Sequence, residues 1–212
     1  MISFSLFNIP IRVLPWFWIT LALISGNIFV DSKEGFFLLL LFLIAGFISV
    51  LVHELGHALT AKHFGKRVEI VLQAFGGYAA YSGGAPLSRR ETFMITAAGP
   101  GIQILLGFAV LVFAENFDTM GPQASYFFRV LYIISFFWAI LNLLPVLPLD
   151  GGRLMETILG PQRIRLTLKI SIAVAAGIAL ISLSLGWGIL LPVFMGFMAY
   201  ESYKTLQQNS WR

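Results

Sequence analysis

From Phe36 to Val52 the chain carries no charged residue, and the run ends in His53-Glu54-Leu55-Gly56-His57. An apolar run of this kind is a candidate membrane-spanning helix, because a helix satisfies all of its backbone polar groups internally where water is absent. Residues four apart share one helix face, so His53 and His57 can offer imidazole nitrogens to a single ion, with Glu54 beside them. Ionisable side chains in such a place are costly to bury unless they are paired or bound to metal. In an H-E-x-x-H pattern two neutral imidazoles hold Zn²⁺ and the carboxylate takes a proton from metal-bound water. Gly56, between the two histidines, removes a side chain where another backbone or a substrate can approach. The remaining histidine, His63, falls on another face near Lys62 and Lys66 and is expected at the membrane interface rather than on the ion.

Composition narrows the surroundings of this motif. At 58% hydrophobic and 11% charged residues, the 212-residue chain is too apolar for a soluble domain, and one membrane-embedded unit over 1–212 is expected. Cysteine is absent, which excludes disulfides, thiolate ligands and a cysteine nucleophile, so any metal must be held by nitrogen and oxygen. The net charge of +4 comes from basic residues spread over loops without interleaved aromatics. The lipid bilayer, not nucleic acid, is therefore the expected surrounding partner.

Apolar runs separated by Gly, Pro and charged clusters predict an all-α polytopic membrane protein with helices at 13–30, 35–63, 91–114, 125–147, 166–185 and 188–204. The first run lacks a basic leader and a small-residue cleavage site and is expected to be a retained span. The segment Arg67–Ser82, β-prone and interrupted by Gly76-Gly77, predicts a short hairpin between the second and third helices. Of the 14 basic residues, all but Lys33 and Arg129 fall on one side under this alternation, while Asp31, Glu34, Glu115 and Asp118 fall on the other. The basic side is assigned to the cytoplasm of a multi-pass protein of the cell membrane, with both termini inside. The His53/His57 pair then lies toward the cytoplasmic end of its helix, below the surface but short of the midplane.

A catalytic zinc takes three protein ligands and keeps a position for water, so one more donor is needed, and without cysteine a carboxylate is expected. Glu69, Glu91, Asp150 and Glu156 share the correct side of the membrane, whereas Glu115 and Asp118 do not. Asp150 is favoured. It stands in Leu147-Pro148-Leu149-Asp150-Gly151-Gly152-Arg153, where Pro145 and Pro148 break the preceding helix, Gly151-Gly152 permits a tight turn and irregular backbone presents the carboxylate. Glu156 is the alternative. Asn142, earlier in the same broken helix, serves either as an interhelical hydrogen-bonding group or as a holder of substrate backbone or oxyanion. Arg153 is expected to anchor at the interface, and the small residues Ala98-Gly99-Pro100-Gly101 to permit close helix packing.

His53–His57, Phe75–Gly77 with Ala97–Gly101, and the segment Asn142–Arg153 (NLLPVLPLDGGR) together make the chain resemble the site-2 protease family of intramembrane zinc metalloproteases. The likeness covers about 35–160, which would form the catalytic core, with 13–30, 166–185 and 188–204 as peripheral helices. It implies that His53, His57 and Asp150 bind Zn²⁺, that Glu54 is the general base and that Asn142 contacts substrate. It also implies cleavage of a single-span membrane protein near the cytoplasmic face. Many members carry a PDZ or nucleotide-sensing domain, and no soluble stretch here is long enough for either. Substrate choice would then rest on the core, a regulatory membrane partner or prior cleavage by another protease. The rival expectation is a transporter or scaffold that binds metal without chemistry, for which Glu54 would have little use.

Overall fold

The long apolar run forms one helix, α2 (Lys33–His63), capped at its start by Ser32, whose hydroxyl accepts a hydrogen bond from the Gly35 amide at 3.1 Å. At 1.5 Å per residue it is about 46 Å long, more than the hydrocarbon thickness of about 30 Å. The computed structural model describes residues 1–26, 31–113 and 119–208. The far ends of the helices expected at 13–30 and 91–114, together with Glu115, Asp118 and Arg212, lie outside them. The chain divides into two units, Met1–Ala139 and Ile140–Arg212.

In the first unit, α2 is preceded by β1 (Ile2–Leu6), β2 (Ile9–Val13) and α1 (Pro15–Ile24) and followed by β3 (Arg67–Gln73), β4 (Gly76–Ser82), α3 (Arg89–Leu111) and α4 (Pro122–Leu143), whose last residues enter the second unit. The strands form one sheet in the order β1-β2-β3-β4, antiparallel except for the parallel pair β2/β3. The expected β3–β4 hairpin is present, closed by Ala74 and Phe75, with Phe75 at φ 59°.

An all-α protein was expected, and the N-terminal hairpin departs from that. Ile9, Ile11 and Val13 alternate inward against Phe17, Leu21, Val50, Ala58, Ile70 and Leu72, so a period of two governs this stretch and makes it a strand. Phe7 and Asn8 both take positive φ, as a two-residue primed turn requires. The helix expected at 13–30 is correspondingly shortened. Strand β2 holds Val13, Pro15 starts α1, and Ser25 ends it. Ten residues reach only about 15 Å, too short to cross hydrocarbon alone.

In the second unit, residues 144–149 are irregular and lead to α5 (Asp150–Leu159), a 3₁₀ turn (Pro161–Arg163), α6 (Ile164–Ser184) and α7 (Leu190–Gln208). Val146, Leu149, Ala175, Met195 and Met198 make its core. Gly186 and Gly188, both at positive φ, connect α6 to α7. Among the described residues, α2, α3, α4 and Pro161–Ser184 are long and apolar enough to span a bilayer, making this a multi-pass membrane protein.

Helix α3 approaches α2 closely because Gly56 has no side chain: a Cβ there would lie 2.5 Å from the Ala98 carbonyl oxygen. Gly56→Val should therefore destabilise the fold by about 1–3 kcal/mol through overpacking. Gly101→Ala, whose Cβ meets nothing within 4 Å, should leave it unchanged or slightly firmer. Thermal melting of the detergent-solubilised variants checks both.

Candidate metal centre

His53 and His57 sit one turn apart on α2, 3% and 8% exposed, with their Nε2 atoms 3.1 Å apart. The other ring nitrogens face oxygen. His57 Nδ1 lies 2.8 Å from the Ile95 carbonyl and His53 Nδ1 lies 3.0 Å from Gln103 Oε1, both on α3. A carbonyl oxygen can only accept, so each Nδ1 carries the proton and each Nε2 turns a lone pair toward its counterpart. Two lone pairs at this separation repel. A divalent cation between them removes the repulsion and uses both, and neutral imidazole pairs suit ions of the zinc class.

The neighbouring backbones are shaped around these side chains. Gly99 of α3 faces the His57 ring, and a Cβ there would fall on the ring, nearest Nε2. Small residues in Ala97–Gly101 thus do more than let helices approach: they leave room for the His57 ring. Gly77 of β4 lies over Glu54, where a Cβ would come within 2.9 Å of Glu54 Cγ. Strands β3 and β4 therefore reach the level of the motif, and Glu54, 4% exposed, is covered by the hairpin. The hairpin tip is held to α1 by the Phe75 amide, which donates to Thr20 Oγ1 at 3.3 Å.

The remaining candidates separate clearly. Exposed His63 packs edge-on against Phe64, away from the pair. Glu69 accepts from Arg12 at 2.8 Å on the surface, and Glu91 closes a capping box with Ser88. Both have structural partners outside the centre. In the second unit, Asp150 is buried at 9% exposure, whereas Glu156 is half-buried and Arg153 exposed. Asp150 follows the irregular backbone as expected, but it is already the first residue of α5. Gly151 and Gly152 are helical too. A Cβ on Gly152 would lie 2.5 Å from Leu147 N, and one on Gly151 would strike the Leu143 and Leu144 carbonyls, so these glycines allow close packing rather than a turn. Asn142 is half-buried near the end of α4.

Gln103 is the group that motif reasoning missed. Its signal was present as an amide side chain inside an otherwise apolar span, the same argument that singled out Asn142.

Spanning helices with a buried imidazole pair and an adjacent carboxylate define a membrane-embedded metal-binding protein. Residues 41–119 and 116–185 match the profile of peptidase family M50. A zinc metalloprotease of Methanocaldococcus jannaschii is 30% identical over 86% of this chain and 52% of its own length. Stage IV sporulation protein FB of Bacillus subtilis is 35% identical over 73% of this chain and 49% of its own. The solved structure of the site-2 protease from M. jannaschii superposes with a TM-score of 0.67 at 28% identity, covering 96% of this chain and 94% of that one. The chain belongs to peptidase family M50, and it spans about half the length of these two curated relatives.

Gly99→Ala tests the ligand cradle. Although alanine favours helix, displacement of His57 should lower bound metal well below the wild-type stoichiometry, as measured by plasma mass spectrometry on protein of unchanged monodispersity.

Proposed function

We propose that this chain is an intramembrane zinc metalloprotease of the site-2 type that hydrolyses a peptide bond in or near a transmembrane segment of a single-span membrane protein. The observation that carries this reading is the buried Glu54 carboxylate beside two imidazoles whose Nε2 lone pairs converge. A metal carrier or scaffold has no need of a base there, whereas hydrolysis does. The zinc-metalloprotease names of the relatives support the same reading.

In this proposal His53, His57 and Asp150 would hold the ion. Asp150 is preferred among the carboxylates because Glu69 and Glu91 have surface partners and Glu156 is less buried. Bound zinc supplies Lewis acidity, making water acidic enough to deprotonate near neutral pH and polarising the scissile carbonyl. Glu54 accepts the water proton on a carboxylate oxygen and delivers it to the departing amine. Asn142 holds the substrate backbone or donates to the developing oxyanion. A helical substrate must unwind locally before its carbonyl is accessible, which favours targets containing Gly, Pro or Asn.

The basic excess assigns the end of α2 bearing the motif to the cytoplasmic side, with both termini on that side. Cleavage then falls near the cytoplasmic face, its regulation resting on the core itself, a regulatory membrane partner or prior cleavage by another protease.

Purified wild-type, Glu54→Gln and Asp150→Ala proteins should be compared for zinc content and for cleavage of single-span substrates. Glu54→Gln is expected to retain zinc and to cleave at least about 100-fold more slowly. Asp150→Ala is expected to lose zinc. Wild-type cleavage rates in zinc-loaded Glu54→Gln would sink the protease reading, and loss of metal in Glu156→Ala instead would reassign the third ligand.

A further inference from the structure

His53 and His57 are oriented by different means. The oxygen facing His57 Nδ1 belongs to the Ile95 backbone, which no side-chain substitution at that position removes. The oxygen facing His53 belongs to Gln103, a side chain that must itself be held. Its amide nitrogen lies 2.9 Å from Ser49 Oγ and 3.3 Å from the Ser49 carbonyl. Ser49 Oγ in turn lies 3.0 Å from Ser135 Oγ, and the Ser135 hydroxyl donates to the Leu131 carbonyl at 2.7 Å. Gln103, Ser49 and Ser135 are all fully buried, and they link α3, α2 and α4.

One pattern of protons satisfies this chain. Because the Leu131 carbonyl can only accept, the single proton of Ser135 goes there. The Ser49–Ser135 contact must then use the Ser49 proton, leaving Ser49 Oγ to accept from the Gln103 amide. The other amide proton faces the Ser49 carbonyl. Both Gln103 donors thus point at Ser49, so Oε1 is the atom facing His53 and Nδ1 must donate to it. With one proton on each hydroxyl and carbonyls that only accept, the His53 ring is left with its Nε2 lone pair facing His57 Nε2.

We infer that Gln103, held by Ser49 and Ser135, is a positioning residue that fixes the tautomer and orientation of His53 and thereby sets the affinity of the metal centre. The inference rests on the proposed metal-binding role of the histidine pair. Buried polar side chains also join membrane helices as structural hydrogen-bonding groups, and these three do so. That role alone does not require one side chain to present an acceptor to His53 and two donors to Ser49. Glutamine meets that demand. Leucine supplies neither function, and glutamate keeps the acceptor while losing the donors.

This difference separates positioning from packing. Zinc affinity of the purified full chain should be measured by competition with a chromophoric chelator, alongside the cobalt(II) visible spectrum and the melting temperature. Gln103→Leu is expected to raise the zinc Kd about 10–100-fold and to alter the cobalt bands. Gln103→Glu should bring the Kd back toward the wild-type value, because a carboxylate is the stronger acceptor for His53 Nδ1–H and offsets the lost hold by Ser49, while melting at a lower temperature than Gln103→Leu, since it buries a carboxylate against the Ser49 carbonyl. Ser135→Ala, which removes only the outer end of the chain, should raise the Kd in the same direction by a smaller factor and covers the case in which Gln103→Leu does not fold. Wild-type Kd values in Gln103→Leu and Ser135→Ala, with only melting changed, would overturn the inference and leave the proposed function intact. A wild-type protein that binds no zinc would overturn both.

Discussion

Two imidazole lone pairs held 3.1 Å apart inside a membrane helix constitute a repulsion that the fold must have a reason to keep. Both rings are turned to this position from behind, by oxygens of α3 that can take only a proton from Nδ1. The closeness of α3 to α2 therefore fixes which ring nitrogen of each histidine faces its neighbour, as the proposed ligand role requires. Placing the residues four apart on a helix was necessary, but it did not determine which nitrogen faces the ion.

Glycine is the means by which backbone comes near enough. Gly56 admits the Ala98 carbonyl, Gly99 leaves space for the His57 ring, and Gly77 lets β4 cover Glu54. The three occupy different elements and were separated in sequence by their apparent roles as spacer, packing residue and turn. They share a requirement for no Cβ beside the centre. The packing leaves Glu54 only 4% exposed, in a surrounding of low dielectric where electrostatic interactions are stronger than in water.

Much of this was legible in the sequence where a local period carried the information. The His53/His57 spacing, the spanning runs and the Arg67–Ser82 hairpin follow from helix periodicity, run length and the Gly76-Gly77 break. The N-terminal hairpin was legible too, since Ile9, Ile11 and Val13 alternate with Pro10 and Arg12, but the apolar stretch that follows obscured a period of two beneath overall hydrophobicity. Gln103 differs in kind. Nothing near it in sequence specifies a partner, because its meeting with His53 depends on where α3 crosses α2, a tertiary fact set by Gly56 and Ala98. Asp150 follows the proline break, but its helical start and the packing of Gly151 and Gly152 depend on backbone from 143 to 147 returning against α5.

Zinc-edge X-ray absorption on the purified protein reads whether the chain holds a zinc ion on this imidazole pair. A nitrogen and oxygen shell at about 2.0–2.1 Å, with outer scattering from two imidazoles and no sulfur, is the predicted spectrum. A protein without stoichiometric zinc, or a shell with fewer than two imidazoles, would contradict it.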